Sequence, residues 1–315
     1  MKINDAITLY IDYRSNLGEK VRIIRYLLLG FGKYVGLDNE LDTITEVKCC
    51  GYLDFKGIKN GKATSYWFCI YSAIEGLYQW AIVRGYACNC ALPKYKPNEP
   101  EPFKPYIYSN DELKRIFSAT KSYRKCFNIL YPEVILAMLK VTYGLGLRPS
   151  ETVNLHVNDI DIANCVVYIR ETKFYKSRMV PVGDQVLNMM KQYMSWRTNT
   201  VLEITATDNH MFLDKKGQPV KLSALQQAFR LICVKADVHR NDMSRYDVRL
   251  QDLRHTFATN RVTQWYREGK NVQNLLPVLS TYLGHCNLDS TAVYITFTDN
   301  LLDEANNKFK SYVEI

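Results

Sequence analysis

The chain has 315 residues, of which 47% are hydrophobic and 23% are charged, a composition typical of a globular protein with an ample core. Its length favours two domains. Lysine and arginine number 41 against 32 aspartates and glutamates, so the formal net charge is +9. An excess of this size is compatible with an anionic partner such as DNA, although it does not require one.

Several other classes of protein are excluded by local features. The longest apolar stretch, near Tyr131 to Leu147, is interrupted by Glu133 and Lys140 and is too polar to span a membrane. Asp5 lies where a secretion signal needs an apolar run, so we expect no signal peptide. The nine cysteines are odd in number and irregular in spacing, which fits neither a zinc site nor a disulfide framework. We therefore expect free thiols and a cytoplasmic protein.

The first part of the chain is predicted to be a small helical domain. Apolar residues recur there with helical spacing, and polar capping residues precede several of the segments. The predicted helices cover about residues 6–15, 20–35, from Thr43 or Thr45 to 55, and 64–84. We assign residues 1–90 to this N-terminal domain.

A proline-rich stretch then predicts the domain boundary. It contains Pro93, Pro97, Pro100, Pro102 and Pro105, which exclude a helix and favour an extended linker over residues 91–108. Ser109 and Glu112 next form the pattern of a capping box, in which each side chain can bond the backbone N–H of the other residue. The second domain is therefore predicted to cover residues 109–315.

The second domain is predicted to be mostly helical with one hairpin. Pro132 suits the first turn of a helix that stops at Gly144 and Gly146, and a further helix opens at Arg148 to Glu151. Residues 165–170 and 178–182 have the pattern of two strands, with Pro181 implying an edge position. Further helices are predicted over about residues 184–196, 222–235, 250–265, 272–282 and 288–295. The fold class is thus mainly α, with a short antiparallel β-hairpin or sheet in the larger domain.

Three blocks of sequence resemble the signature motifs of the tyrosine recombinase (phage integrase) family. They are YGLGLRPSETVNLHVNDID from Tyr143, LQDLRHTFAT from Leu250, and LGHCNLDSTAVY, which ends at Tyr294. Any one block would be weak support, but the three occur in the family's order at plausible separations. The resemblance covers residues 143–294 and implies a helical DNA-binding domain followed by a catalytic domain.

Cleavage of a phosphodiester without a metal requires neutralised phosphate oxygens, a nucleophile and a proton donor for the leaving oxygen. Arg148 and Arg254 suit the first task, because a guanidinium stays charged and offers forked donors that match phosphate oxygens. The alternative is that either arginine pairs with a surface carboxylate, Glu151 or Asp252. The surrounding motifs favour the phosphate role for both.

The resemblance assigns the nucleophile to Tyr294, one of 23 tyrosines, because it follows the Leu-Gly-His block. A phenol with an ordinary pKa of about 10 needs a cationic neighbourhood to react as a phenolate, and the two arginines would supply it. His285 would hydrogen-bond a phosphate oxygen or the phenol. His255, next to Arg254, is expected to be a buried helix residue outside this set.

Two further positions follow from the family pattern. The catalytic lysine of the family occupies a hairpin turn, and alignment from Arg148 favours Lys173 over the competing Lys176. A lysine there can protonate a leaving 5′ oxygen, although both lysines could equally be solvated turn residues. Glu151 matches the acidic position of the family and would orient the site without transferring protons.

One departure from the family pattern concerns residue 251. The family has histidine three residues before the second arginine, whereas this chain has Gln251. Glutamine can donate a hydrogen bond to phosphate but cannot exchange a proton near neutral pH. We therefore expect Gln251 to keep the positioning role while catalysis becomes slower or more dependent on His285.

The resemblance implies a site-specific recombinase that cleaves double-stranded DNA through a 3′-phosphotyrosyl intermediate and rejoins it. No cofactor, metal or ATP would be needed, because the bond energy is conserved in the intermediate. The family acts as a tetramer on two DNA sites, and its biological roles include integration, excision and transposition of mobile elements. Two alternatives stay open: relaxation of DNA in the manner of a type IB topoisomerase, and a weakly active or inactive protein that binds a specific DNA site.

Overall fold

The structure is a computed structural model that describes residues 1–100, 104–123, 129–170, 177–200, 209–242 and 246–285. The chain divides into two compact units, one holding residues 1–100 and the other the described residues from Lys104 onward. The helix predicted over residues 288–295 lies outside the described residues, as do Tyr294, Lys173 and Lys176. Within the described ranges, every helix is too short or too polar to cross a bilayer.

The first unit consists of four helices, as the periodicity predicts. They are α1 (Ile3–Asn16), α2 (Arg22–Val35), α3 (Glu46–Gly57) and α4 (Ser65–Val83). Helix α4 is the most apolar, and its side chains Ile70, Ile74 and Leu77 are fully buried in a common core with Leu28 and Phe31 of α2. The four predicted helices are confirmed to within a few residues at each end.

A small hairpin between α3 and α4 was not predicted. Strand β1 (Ile58–Lys59) pairs antiparallel with β2 (Lys62–Ala63). The two residues between them, Asn60 and Gly61, have φ angles of 51° and 71°. Asn-Gly is a strong signal for a two-residue hairpin turn, because both central residues must adopt positive φ. The signal was present in the sequence, but the flanking strands are only two residues long.

The proline-rich stretch is not helical where the structure describes it. At its beginning, Leu92 is buried in the core of the first unit, and the carbonyl oxygen of Pro93 accepts a hydrogen bond of 2.9 Å from the Tyr71 hydroxyl. At its end, Tyr108 is 2% exposed, and its hydroxyl donates to the carbonyl oxygen of Arg249 at 3.0 Å. Each end therefore packs on its own unit, and the domain boundaries stay a prediction.

The second unit is mostly helical. Its helices are α5 (Asn110–Ala119), α6 (Pro132–Gly144), α7 (Pro149–Val153), α8 (Asp184–Thr200), α9 (Leu222–Lys235), α10 (Asp252–Arg267) and α11 (Val272–Leu283). The predicted capping box at the start of α5 is present, with Ser109 and Glu112 bonding each other's backbone N–H. Pro132 and Pro149 each occupy the first turn of a helix, where a missing N–H costs little.

The sheet of the second unit has one strand more than the predicted hairpin. Strand β4 (Val166–Ile169) pairs antiparallel with β5 (Arg178–Pro181) and, on its other side, with the short strand β3 (Ile160–Asp161). Pro181 therefore lies on an edge strand, as predicted. Val167 and Val180 face each other across the strand pair, and both side chains are fully buried in the core. The mainly α fold class with a small antiparallel sheet is confirmed.

Candidate active site

Helix α6 and the loop after it place the first arginine block against α10. Gly146 has a φ of 59°, and a Cβ atom there would lie 2.4 Å from Cδ1 of Phe257 on α10. Only glycine fits both the left-handed backbone and this close approach. The carbonyl oxygen of Gly146 then accepts a hydrogen bond of 3.0 Å from Nη1 of Arg254. The Gly-Leu-Gly-Leu-Arg motif therefore joins the two arginine blocks directly.

Glu151 lies at the centre of the site. It is the third residue of α7, so its carboxylate reaches back to the backbone N–H of Arg148 at 2.9 Å. Nη1 of Arg148 also donates to this carboxylate at 2.8 Å. The Glu151 side chain is only 7% exposed, whereas that of Arg148 is 35% exposed. The predicted alternative of an arginine–carboxylate pair thus occurs at Glu151, but the carboxylate is buried.

Arg178 is a member of the cluster that the sequence analysis missed. The first residue of β5, it donates two parallel hydrogen bonds of 2.9 and 2.8 Å to the Glu151 carboxylate. Arg254 approaches the same carboxylate, with 3.7 Å between Nη1 and Oε2. One signal could have found Arg178: strand alternation places it on the same inward face as Val180. A charged residue on an inward face requires a partner.

The turn after α11 is held by three arginines. Helix α11 ends at Leu283, and Gly284 follows with a φ of 70°, as is usual for a C-terminal cap. Three successive carbonyl oxygens accept from three different guanidinium groups: Tyr282 from Arg178 at 2.8 Å, Leu283 from Arg254 at 2.6 Å, and Gly284 from Arg148 at 3.0 Å. These donors satisfy carbonyls that a helix end leaves unpaired. The backbone leading into His285 is therefore fixed by the cluster.

The charges of the site follow from this arrangement. Burial alone would raise the pKa of Glu151, but the hydrogen bonds from Arg178, the Arg148 backbone N–H and the charge of Arg254 outweigh it and lower that pKa to about 2. Burial, together with the positive charges of Arg254 and Arg148, lowers the pKa of His285 to about 4. At neutral pH, one carboxylate thus faces three guanidinium groups and a neutral imidazole. The excess of positive charge suits a phosphate.

Accessibility differs sharply among the three arginines. The side chain of Arg148 is 35% exposed, that of Arg178 is 11% exposed, and that of Arg254 is 1% exposed. Arg148 is therefore the guanidinium that a ligand can reach from solvent. Arg254 is buried with its Nη atoms bonded to backbone carbonyls, so in this structure it supports the turn.

Gln251 lies at the N-terminal end of α10, next to this cluster. Its carbonyl oxygen accepts from the backbone N–H of Arg254 at 3.1 Å. Together with Ser150 it borders a cavity of about 300 Å³, so Gln251 and the start of α7 face the same space. Nη2 of Arg249 donates to the Asp252 carboxylate at 3.0 Å. Asp252, the other carboxylate considered as a partner for Arg148 or Arg254, therefore pairs with Arg249.

The structure thus brings together five of the predicted site residues. Arg148, Glu151, Arg254 and His285 share one cluster of contacts, and Gln251 adjoins it. The remaining two, Lys173 and Tyr294, lie outside the described residues. His255, expected to be a buried helix residue, is half-buried in α10, and burial followed by the charge of Arg249 lowers its pKa to about 4.

The second unit is thus mostly helical, with an arginine cluster around one buried carboxylate, and its fold matches those of known proteins. Among solved structures, the chain is similar to the Tn1549 transposon integrase in complex with a circular intermediate DNA, with a TM-score of 0.71 and 16% identity over 99% of both chains. It is also similar to the XerH site-specific recombinase bound to palindromic difH substrate, with a TM-score of 0.65 and 16% identity over 98% of this chain and 96% of that one. Likeness at these identities shows the shared fold.

The sequence comparisons show the family. The phage integrase family matches residues 108–300. The protein described as "Putative integrase/recombinase y4rE" of Sinorhizobium fredii is 30% identical over 306 residues, which cover 95% of this chain and 93% of the relative. The tyrosine recombinase XerA of Thermococcus kodakarensis is 23% identical over 98% of this chain and 96% of that one. The chain belongs to the phage integrase family, and its enzyme class is that of the tyrosine site-specific recombinases.

Proposed function

We propose that this recombinase cleaves and rejoins double-stranded DNA through a phosphotyrosyl bond to Tyr294, and that it serves the integration, excision or transposition of a mobile element. One observation carries the proposal: three arginines from separate parts of the second unit converge on the turn at Leu283 and Gly284, which begins the block that ends at Tyr294. The single carboxylate of Glu151 offsets only part of this positive charge, so the cluster suits a further anion such as a DNA phosphate.

Each described residue has a role in this scheme. Arg148 is exposed enough to donate to a non-bridging oxygen of the DNA phosphate. Arg254 would contact the same phosphate once its Nη2 group exchanges the Leu283 carbonyl oxygen for a phosphate oxygen. His285, neutral at pH 7, can hydrogen-bond a phosphate oxygen or accept the phenol proton. Glu151 holds the guanidinium groups in place and transfers no proton, because its pKa of about 2 keeps it ionised.

The covalent step balances without a metal or ATP. The oxygen of Tyr294 bonds to phosphorus while the bond from phosphorus to the 5′ oxygen breaks. Lys173 would supply the proton to that leaving oxygen, with Lys176 as its competitor. The 5′ hydroxyl of a second duplex then loses its proton and bonds to phosphorus while the bond from phosphorus to the Tyr294 oxygen breaks, so that the phenol regains a proton and the phosphodiester is restored.

The proposed assembly is a tetramer on two DNA sites, with the helical first unit and the catalytic second unit both binding the duplex. The net charge of +9 supports extensive phosphate contact, so we expect affinity to fall steeply with salt. A role in transposition or integration is supported by the likeness to a transposon integrase that was solved with a circular intermediate DNA.

The proposal is tested by trapping the covalent intermediate. Nicked duplexes that tile the genomic DNA flanking the gene, incubated with the protein in EDTA, should yield a covalent protein–DNA band. Tyr294→Phe should abolish the band. Tyr282→Phe is the matched control: Tyr282 is a tyrosine of α11 whose ring stacks on Phe257 and whose hydroxyl has no place in the scheme. A band that persists in Tyr294→Phe would place the nucleophile elsewhere.

Gln251 favours a second candidate, a weakly active or inactive protein that binds a specific DNA site. That protein would shift a duplex in a binding assay but give no Tyr294-dependent band. A topoisomerase would relax a supercoiled plasmid that lacks any particular site, whereas a recombinase requires its own sites.

A further inference from the structure

We propose that Arg178 is a positioning residue of the active site, which joins strand β5, the carboxylate of Glu151 and the turn after α11 into one unit and thereby orients Arg148 toward the DNA phosphate. The inference rests on the proposed function. It assigns a role to a residue outside the set that the sequence motifs mark.

The geometry of Arg178 uses the whole guanidinium fork. Nη1 and Nη2 bind the two oxygens of Glu151 at 2.9 and 2.8 Å, and Nε donates to the carbonyl oxygen of Tyr282 at 2.8 Å. A Cβ at Gly284 would lie 3.0 Å from Nη1, so the glycine lets the turn approach the guanidinium closely. A bidentate pair of this kind fixes orientation as well as distance. The Arg178 side chain therefore fixes the position of Glu151 in α7 relative to the end of α11.

Arg178 lies at one end of the β4–β5 strand pair. It is the first residue of β5 and pairs with Ile169, the last residue of β4. In the sequence, Lys173 lies between these two residues. Arg178 thus anchors the end of the β4–β5 pair to Glu151 and to the turn after α11.

Arg178 and Arg148 bind the same carboxylate, so the loss of Arg178 would change how firmly Arg148 is held. Three cations face the carboxylate: Arg148 from the start of α7, Arg178 from β5 and Arg254 from α10, and His285 lies among them. Arg178 binds both oxygens of that carboxylate. Its loss removes the hydrogen bonds and charge that most lower the pKa of Glu151, so we expect that pKa to rise and the protonated carboxyl to hold Arg148 less firmly.

Three variants test the proposal. Arg178→Gln removes the charge and the fork. Arg178→Lys keeps the charge but cannot bind both oxygens of Glu151 and the Tyr282 carbonyl together. Arg170→Gln is the matched control, because Arg170 follows β4 in the same sheet and pairs with a different buried carboxylate, that of Asp159.

The first measurement is the rate of covalent adduct formation on the nicked duplexes at several pH values. We expect Arg178→Gln to lower the rate about 10- to 100-fold near neutral pH, by analogy with the loss of a residue that orients a metal ligand. Its rate should fall further in mild acid. Arg178→Lys should be slowed as well, but with the pH profile of the parent. Arg170→Gln should match the parent in both respects.

The second measurement does not require activity. In protein carrying ¹³C-labelled glutamate side chains, the Glu151 carboxyl signal should titrate at higher pH in Arg178→Gln than in the parent and in Arg170→Gln. An unchanged Glu151 titration, or an Arg178→Gln rate and pH profile equal to those of Arg170→Gln, would overturn the proposal. If the parent forms no adduct while the Glu151 titration shifts as expected, the proposed function fails and the contact role of Arg178 stands.

Discussion

The substitution Glu151→Gln tests the centre of the site most directly. Glutamine has nearly the size and shape of glutamate but carries no charge, so the variant removes the counter-ion without opening a cavity. In the parent, Glu151 is 7% exposed and accepts hydrogen bonds from Arg148 and Arg178. The change therefore isolates the electrostatic contribution of one carboxylate.

The expected magnitude follows from the pKa. Glu151 has a pKa of about 2 in the folded protein, against an ordinary value of 4.5. This difference corresponds to about 3 kcal/mol of folding free energy. The pKa is lowered by folding, so the stabilisation is fully present above about pH 4.5 and is lost as the pH falls toward 2. At neutral pH the variant also leaves three arginines without their counter-ion, and we expect it to lose about 3 to 5 kcal/mol.

Urea unfolding of parent and variant over a series of pH values measures both effects. The difference in unfolding free energy between the two proteins should be largest near neutral pH and shrink as the pH falls below about 4.5. Asp111→Asn is the control, because Asp111 forms an exposed ion pair with Lys114, and such a change should alter stability by less than about 0.5 kcal/mol. A Glu151→Gln difference that stays constant across this pH range would refute the reasoning.

Two further predictions concern the glycine turn and the departure from the family pattern. Gly146→Ala should destabilise the protein by about 2 to 4 kcal/mol in urea unfolding, because φ is positive there and the new Cβ would meet the Phe257 ring. Gly269→Ala is the control: φ is also positive but the space around it is open, so the change should cost only about 1 to 2 kcal/mol. Equal costs would show that the ring contact is unimportant. Gln251→His should speed adduct formation by at least about tenfold by restoring a group that exchanges protons, and a variant no faster than the parent between about pH 6 and pH 9 would contradict this role for residue 251.

The sequence alone determined most of the local structure. Ser109 and Glu112 marked the start of α5 because a capping box satisfies its own backbone N–H groups within one turn. Pro132 and Pro149 marked two further helix starts, because the fixed φ of proline suits the first turn and its missing N–H is not needed there. Helical periodicity likewise predicted the four helices of the first unit, since the apolar residues of one helix must share a face whatever they pack against.

The sequence motifs also predicted much of the site. They singled out Arg148, Arg254 and His285, and the structure brings these three to one turn. Strand β3 was not predicted, because two residues carry no readable alternation and pair only when β4 is already in place. The roles of Lys173 and Tyr294 stay predictions.

Only the tertiary structure decided how the charges are paired. No spacing rule connects Arg178 with Glu151 or with the Tyr282 carbonyl, because these groups lie on separate elements that meet only after β5, α7 and α11 have packed. Caps and periodicity act within a few residues and are therefore visible in the sequence. A buried ion pair depends on distances between remote elements, and those distances exist only in the folded chain.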